Sequence, residues 1–229
     1  MQEQPNDKDI AALESITELK NYNNFVFKQI SNFVKGKKVL DFGSGYGDLC
    51  LYLKNLNYDI DGYDINQTAI EKTRLKDIKT YNKISQIDQK YDTVTSLNVL
   101  EHVKDDVGLI IQIKSLLVDN GTLVLYLPAS PIVWTKMDEE VNHFRRYTKK
   151  DIEEKLINAN YEIEYISFVD FIGWLVLLVM KFFRIQPNFN KKLLIFYDKV
   201  FFRYLKIFDF LFKKLIGKNL LIVAKLKEK

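Results

Sequence analysis

The chain has 229 residues, 47% of them hydrophobic and 28% charged, with one cysteine and a formal net charge of +4. This composition excludes a disordered or fibrous chain. The lone Cys50 excludes a disulfide framework and points to a reducing compartment, and the polar start MQEQPNDKDIAALESITELK lacks the apolar core of a signal peptide.

In chain order, KKVLDFG, YDIDGYD, IKTYN, YDTVTSLN and GTLVLYLP predict five strands, the last introduced by the turn DNG. The segments between them, such as DDVGLIIQIKSLLVD, place apolar residues three and four apart and predict helices. Strands alternating with helices make a Rossmann-like α/β sheet, with its ligand outside the C-terminal ends of strands one and four. YEIEYISFV and NLLIVAKLK add two late strands separated by about 50 residues. The expected organisation is a helical cap (1–36), a Rossmann-like core (37–170), a helical insertion (171–217) and a final core strand (218–229).

The first strand runs into VLDFGSGYGD, where Gly43, Gly45 and Gly47 clear side chains from a tight turn that a ligand approaches. A dinucleotide fingerprint would need its third glycine at Asp48, and no Gly-Lys-Ser/Thr follows for a phosphate loop. Strand two ends at Asp64, 17 residues beyond Gly47, where a carboxylate can accept both ribose hydroxyls. Asp41, inside strand one, suits a cationic or amine-bearing ligand better than a pyrophosphate.

D-x-G-x-G-x-G after strand one, the acid ending strand two, and LNVLEHV after strand four resemble a class I S-adenosylmethionine-dependent methyltransferase. NYNNFVFKQISNFVKGKKVLDFGSGYGD, LNVLEHVKDD, GTLVLYLPASP and HFRRYTKKDI extend the likeness to a bacterial subgroup found alongside cell-envelope glycan enzymes, from about Asn21 to Lys227. The resemblance implies a doubly wound seven-stranded sheet, mostly parallel with its last strand antiparallel, and a helical insertion between strands six and seven. It also implies S-adenosyl-L-methionine as cofactor. Asp41, Ser44 and the backbone of Gly43, Gly45 and Gly47 would then face the methionine part, and Asp64 the ribose. Ile65 would pack on the adenine. Asn82 stands where many relatives have an aspartate reaching the adenine amine. Leu97 and Asn98 would line the sulfonium side, and Tyr22 would close over the cofactor from the N-terminal helix.

Methyl transfer from a sulfonium chiefly needs alignment and exclusion of water, with a base only for a hydroxyl or charged amine. The chain has two histidines. His102, in LEHV, is expected to open the helix after strand four, either as a base or packing that turn, with Glu101 beside it facing solvent or ion-paired. MDEEVNHFRRYT follows strand five, where acceptor loops lie in this fold. There His143 could be a general base, Arg145 and Arg146 could grip an anionic acceptor, and Tyr147 could orient it. The plainer reading pairs one arginine with Asp138 or Glu139 and makes Thr148 the N-cap of TKKDIEEKLINAN. The related subgroup usually has glycine at Asn142. Asp138, Glu139 and His143 lack ligand spacing, and no metal is expected.

The stretch FIGWLVLLVMKFFRI is interrupted by Lys181 after ten residues, too short for the roughly 20 that cross a bilayer. From Phe171 onward there are 13 Lys/Arg against 3 Asp/Glu, so a basic tail follows an acidic body. In KKLLIFYDKVFFRYLKIFDFLFKKLIG, Leu193, Tyr197, Val200, Phe201, Tyr204, Leu205, Phe208, Leu211, Phe212 and Leu215 form one apolar arc. Lys192, Lys199, Arg203, Lys206, Lys213 and Lys214 oppose it. This pattern fits an interfacial membrane contact, widened by Phe202 and Phe210, or else a lid or dimer face. The expected function is methyl transfer to O or N of a small-molecule, sugar or lipid-linked glycan acceptor, in the cytoplasm and peripheral to the inner membrane face. A quinone or isoprenoid-lipid acceptor, an RNA substrate and a non-catalytic cofactor-binding role are the rivals, and no DNA partner is expected.

Overall fold

A computed structural model describes Glu14, residues 17–184, residues 195, 196, 198 and 199, and residues 208–228. Helix α1 (Lys20–Ser31) leads into β1 (Lys38–Phe42), α2 (Asp48–Asn55), β2 (Asp59–Tyr63), α3 (Gln67–Arg74), β3 (Lys79–Tyr81) and β4 (Tyr91–Leu97). A 3-10 turn (Leu100–His102) and α4 (Asp106–Lys114) follow, then β5 (Leu117–Pro128), α5 (Lys136–Glu140), α6 (Lys149–Asn158), β6 (Tyr161–Val169), α7 (Phe171–Phe182) and β7 (Asn219–Leu226). The seven strands lie in the order β3-β2-β1-β4-β5-β7-β6, parallel except for β7, which runs antiparallel to both neighbours. The order reverses between β1 and β4, so the crevice beyond their C-terminal ends is where this topology leaves room for a ligand.

Alternation along the strands sends side chains to two cores. Leu40, Phe42, Val94, Leu123 and Leu125 meet Ile110 and Ile113 of α4 and Ile152 and Leu156 of α6 on one face. Val39, Ile60, Val124 and Val223 meet Val26 and Ile30 of α1 and Leu49 and Leu53 of α2 on the other. With both faces covered, the central strands read as near-continuous apolar runs.

All seven expected strands form, with one boundary moved. The apolar run expected to stay helical to Asp119 ends its helix at Lys114, and Leu117 already pairs with Tyr91. Leu116 and Leu117 are both buried, and the Leu116 carbonyl accepts from the Tyr91 amide at 2.9 Å. Packing there overrides the helical period.

The apolar stretch opening the insertion is α7, N-capped by Asp170, which accepts from the Gly173 amide at 2.8 Å. Twelve residues rise about 18 Å against the roughly 30 Å of a bilayer core. Among the described residues no helix is long and apolar enough to cross a membrane. Only Leu177 of α7 is buried; Leu175, Val176, Val179, Phe182 and Phe183 are exposed. Much of the apolar arc expected after it (Leu193, Tyr197, Val200, Phe201, Tyr204 and Leu205) lies outside the described residues. Within them, Phe212 stacks on Phe171 with ring centroids 4.0 Å apart, while Phe208, Phe210, Leu211 and Leu215 face outward.

Candidate active site

The glycine loop turns over the end of β2: the Gly43 and Ser44 amides both donate to the Tyr63 carbonyl, at 2.7 and 2.9 Å. Gly43 takes φ +85°, and a Cβ there would collide with Val99, so the loop and the segment after β4 press together. The Gly45 amide donates to Asp64 Oδ2 at 2.8 Å, while Asp64 Oδ1 accepts from the Asn66 amide, also at 2.8 Å. Burial raises the Asp64 pKa against those backbone bonds. Beneath the loop, Asp41 is 3% exposed and accepts from the Thr95 hydroxyl at 2.8 Å and, more weakly, from the Cys50 thiol at 3.5 Å. Burial outweighs both bonds and pushes its pKa up to about 6. Ser44 is also buried, its hydroxyl without a hydrogen-bond partner. A carboxylate kept from water below the glycine turn, with the unpaired Ser44 hydroxyl in that turn, is chemistry fitted to an amine- or sulfonium-bearing ligand.

The other expected cofactor residues gather at the same edge of the sheet. Ile65 is half-buried against the core behind Asp64, and Asn82 lies exposed at the end of β3. Leu97 is half-buried and Asn98 is exposed in the left-handed region, φ +50°, its amide donating to the Tyr126 carbonyl at 2.8 Å. Tyr22, from α1, places its hydroxyl 3.0 Å from that of Tyr126, and the Asn219 side chain donates to both at 3.2 and 3.0 Å. Tyr126 and Asn219 carried no local signal, because β5 and β7 bring them together across the sheet.

After β4 the chain departs from expectation. His102 closes a 3-10 turn instead of opening a helix; α4 starts four residues later, at Asp106, behind the Asp105 cap. Glu101, expected at the surface or in an ion pair, is 0% exposed; neither carboxylate oxygen has a hydrogen-bond partner, and the pairing alternative is met only by His143, 3.9 Å away. The turn points it inward, and the Phe144 amide donates to its carbonyl at 2.7 Å, binding the 141–147 loop over it. Burial raises the Glu101 pKa to about 7 despite the nearby His143.

That loop brings His143 to the cluster. Its Nδ1 lies 2.9 Å from Asp138 Oδ1 and its Nε2 3.9 Å from Glu101 Oε1, while the His102 ring meets it edge-on with centroids 4.8 Å apart. Burial, then His143, lowers the His102 pKa to about 4. Asn142 sits at φ +53°, the conformation glycine would take most easily. The other three expected catalytic side chains are engaged within the protein. Arg146 Nε donates to Asp138 Oδ1 at 2.8 Å and Nη1 to the Ala129 carbonyl at 3.2 Å. Tyr147 is fully buried and donates to Asp106 at 2.9 Å, where Arg145 also pairs at 2.7 Å. Thr148 caps α6, accepting from the Asp151 amide at 3.1 Å. Arg145, Arg146 and Tyr147 thus hold the loop in place, and the two histidines lie with Glu101 in one cluster of titratable side chains.

Residues 19–166, well over half of the chain, match the family described as "Methyltransferase domain". A ubiquinone biosynthesis O-methyltransferase of Proteus mirabilis is 31% identical over 86 residues, 33% of this chain and 35% of that protein. The chain thus spans about a third of the length of that curated relative. Magnesium protoporphyrin IX methyltransferase from Synechocystis, solved with bound SAM, superposes with a TM-score of 0.55 at 16% identity, covering 99% of this chain and 87% of that one. Phosphoethanolamine N-methyltransferase 2 of Haemonchus contortus, in complex with S-adenosyl-L-methionine, gives 0.59 at 16% identity, over 91% of this chain and 53% of that one. The chain belongs to the methyltransferase domain family.

Proposed function

We propose that the protein transfers a methyl group from S-adenosylmethionine to an oxygen or nitrogen of a small-molecule acceptor, most simply a lipid-linked sugar presented at the cytoplasmic membrane face. The carrying observation is the Gly45–Asp64 hydrogen bond at the mouth of β1 and β2, with the buried Asp41 behind it. When bound, the cofactor supplies an electrophilic methyl group on a sulfonium. Asp64 holds the ribose hydroxyls, Ile65 packs on the adenine and Asn82 reaches its amine. Asp41, Ser44 and the glycine loop hold the methionine part, Leu97 and Asn98 line the sulfonium side, and Tyr22 closes the pocket. Handling of the acceptor proton falls to the cluster of Glu101, His102 and His143, held in place by the Asp138–Arg146 and Asp106–Arg145–Tyr147 pairs.

The acceptor's lipid character is supported by α7 and the segment after it. Exposed Val176, Val179, Phe182, Phe183, Phe210 and Leu211 accompany Lys181, Arg184, Lys213 and Lys214, a combination suited to an anionic headgroup layer. A quinone is the second reading, favoured by the ubiquinone O-methyltransferase relative. The test is calorimetric binding of S-adenosylmethionine followed by label transfer to quinols, lipid-linked sugars and an RNA pool. Micromolar cofactor binding with label in a lipid fraction is the expected result; failure to bind the cofactor overturns it.

A further inference from the structure

Resting on the methyl-transfer reading above, we propose that Glu101, His102 and His143 form a site for one divalent transition-metal ion, of the Zn²⁺, Mn²⁺ or Fe²⁺ class, that binds the acceptor's oxygen. One ligand atom from each residue lies within 4.8 Å of the others. An ion needs its ligands about 2.0–2.2 Å away, hence roughly 3–4 Å from one another, so a shift of about 1 Å completes the site.

Three independent features converge on this spot. Glu101 is fully buried and its carboxylate has no hydrogen-bond partner, an arrangement that burial penalises unless a cation meets it. His143 Nδ1 faces Asp138 Oδ1, and Asp138 is itself fixed by Arg146 and by the Thr135 amide at 2.9 Å. That acceptor places the proton on Nδ1 and leaves Nε2 free toward Glu101, the carboxylate–histidine arrangement that orients a metal ligand. A ring N–H of His102 donates to the Val141 carbonyl, leaving its other nitrogen for the cluster.

Two imidazoles and one carboxylate, with positions left open, suit first-row divalent ions better than Ca²⁺ or Mg²⁺. His143 keeps a side-chain exposure of 14%, so the cluster is not sealed from solvent. An acceptor hydroxyl bound there loses its proton to solvent more readily. The new O–CH₃ bond then forms as the S–CH₃ bond breaks, and the sulfonium leaves as the neutral thioether of S-adenosylhomocysteine. With an ion bound, His143 is a ligand and the ion takes over acidification of the acceptor.

The test is titration of the full-length, chelator-treated protein with Co²⁺, followed by its visible absorption, and with Zn²⁺ by calorimetry. One ion per chain is expected. Glu101→Gln, His102→Gln and His143→Gln should each weaken binding at least tenfold, and Asp138→Asn by about 10- to 100-fold through the His143 tautomer. Thermal melts establish which variants fold; a wild type that binds no Co²⁺, or binds it no better than a folded His102→Gln or His143→Gln variant, overturns the proposal. Cofactor binding is measured on the same samples. Cofactor binding without metal overturns the metal site alone, and metal binding without cofactor overturns the methyl-transfer reading alone.

Discussion

Asp41 accepts a hydrogen bond from Thr95 across the β1–β4 pair at 2.8 Å, at the point where the strand order reverses. Burial raises the Asp41 pKa from 3.8 to about 6, so the folded protein favours the protonated acid. Stability contributed by that proton is full at low pH and is lost as pH rises through the window between about 4 and 6. Above it the charge costs on the order of 2–3 kcal/mol. Asp41→Asn keeps an acceptor for Thr95 and removes the charge. It should raise the melting temperature of the cofactor-free protein at pH 7.5, with the gain shrinking at pH 5. A cation bound nearby favours the charged form, so cofactor affinity of the wild type should fall as pH drops below about 6. Melting curves and calorimetry at the two pH values check both; an Asn variant that is less stable at pH 7.5 refutes the stability claim.

Asp64 ties the end of β2 to the glycine loop through the Gly45 amide and to the start of α3 through Asn66. Asp64→Asn preserves the shape but loses one acceptor and the charge. Hydrogen bonds to a charged group are worth about 1.5–3 kcal/mol, so affinity for S-adenosylhomocysteine should drop about 10- to 100-fold. Losing one of the two backbone bonds should also lower the melting temperature, by roughly 2–8 °C. A variant that binds within threefold of wild type removes Asp64 from the cofactor site.

The strands and the glycine loop were legible because the signals are local: alternating runs, turn residues, and three glycines followed by an acid at the end of β2; the layout of the sheet came from the family resemblance alone. The Arg146–Asp138 pair and the Thr148 cap were legible for the same reason, since each lies within eight residues. Glu101 was not. Its neighbours read as the start of a helix, and only the 3-10 turn sends its side chain inward beneath His143. The contact of Tyr22 with Tyr126 and Asn219 joins residues 104 and 197 positions away, set by sheet topology with no pattern to announce it.

Phe182 is 80% exposed, Phe183 66% and Phe210 72%, so replacing them disturbs no core. If this face meets an anionic bilayer, Phe182→Ser, Phe183→Ser and Phe210→Ser together should reduce co-sedimentation with phosphatidylglycerol-containing vesicles at least tenfold, since each buried aromatic contributes about 1.5–3 kcal/mol. Cofactor affinity should stay unchanged. Binding of the wild type should weaken with salt as the lysines are screened. Equal sedimentation of wild type and triple variant would assign this face to protein contacts instead.

Helix α1 starts after Leu19, whose side chain cannot cap the free amides of the first turn. The cap comes from the insertion: Asp198 accepts from the Asn21 amide at 2.9 Å and the Tyr22 amide at 2.8 Å, 177 and 176 residues away in sequence. A buried carboxylate there also complements the helix dipole. Asp198→Ala should therefore cost about 1–2 kcal/mol and lower the melting temperature by roughly 2–8 °C. It should also speed hydrogen exchange selectively in α1. Because α1 carries Tyr22 to the ends of β5 and β7, the same change should weaken cofactor binding severalfold, whereas the exposed Phe182→Ser should leave it unchanged. Loss of stability with cofactor affinity intact would make the Asp198 contact a strut for the N-terminal helix alone, and separate Tyr22 from the cofactor pocket.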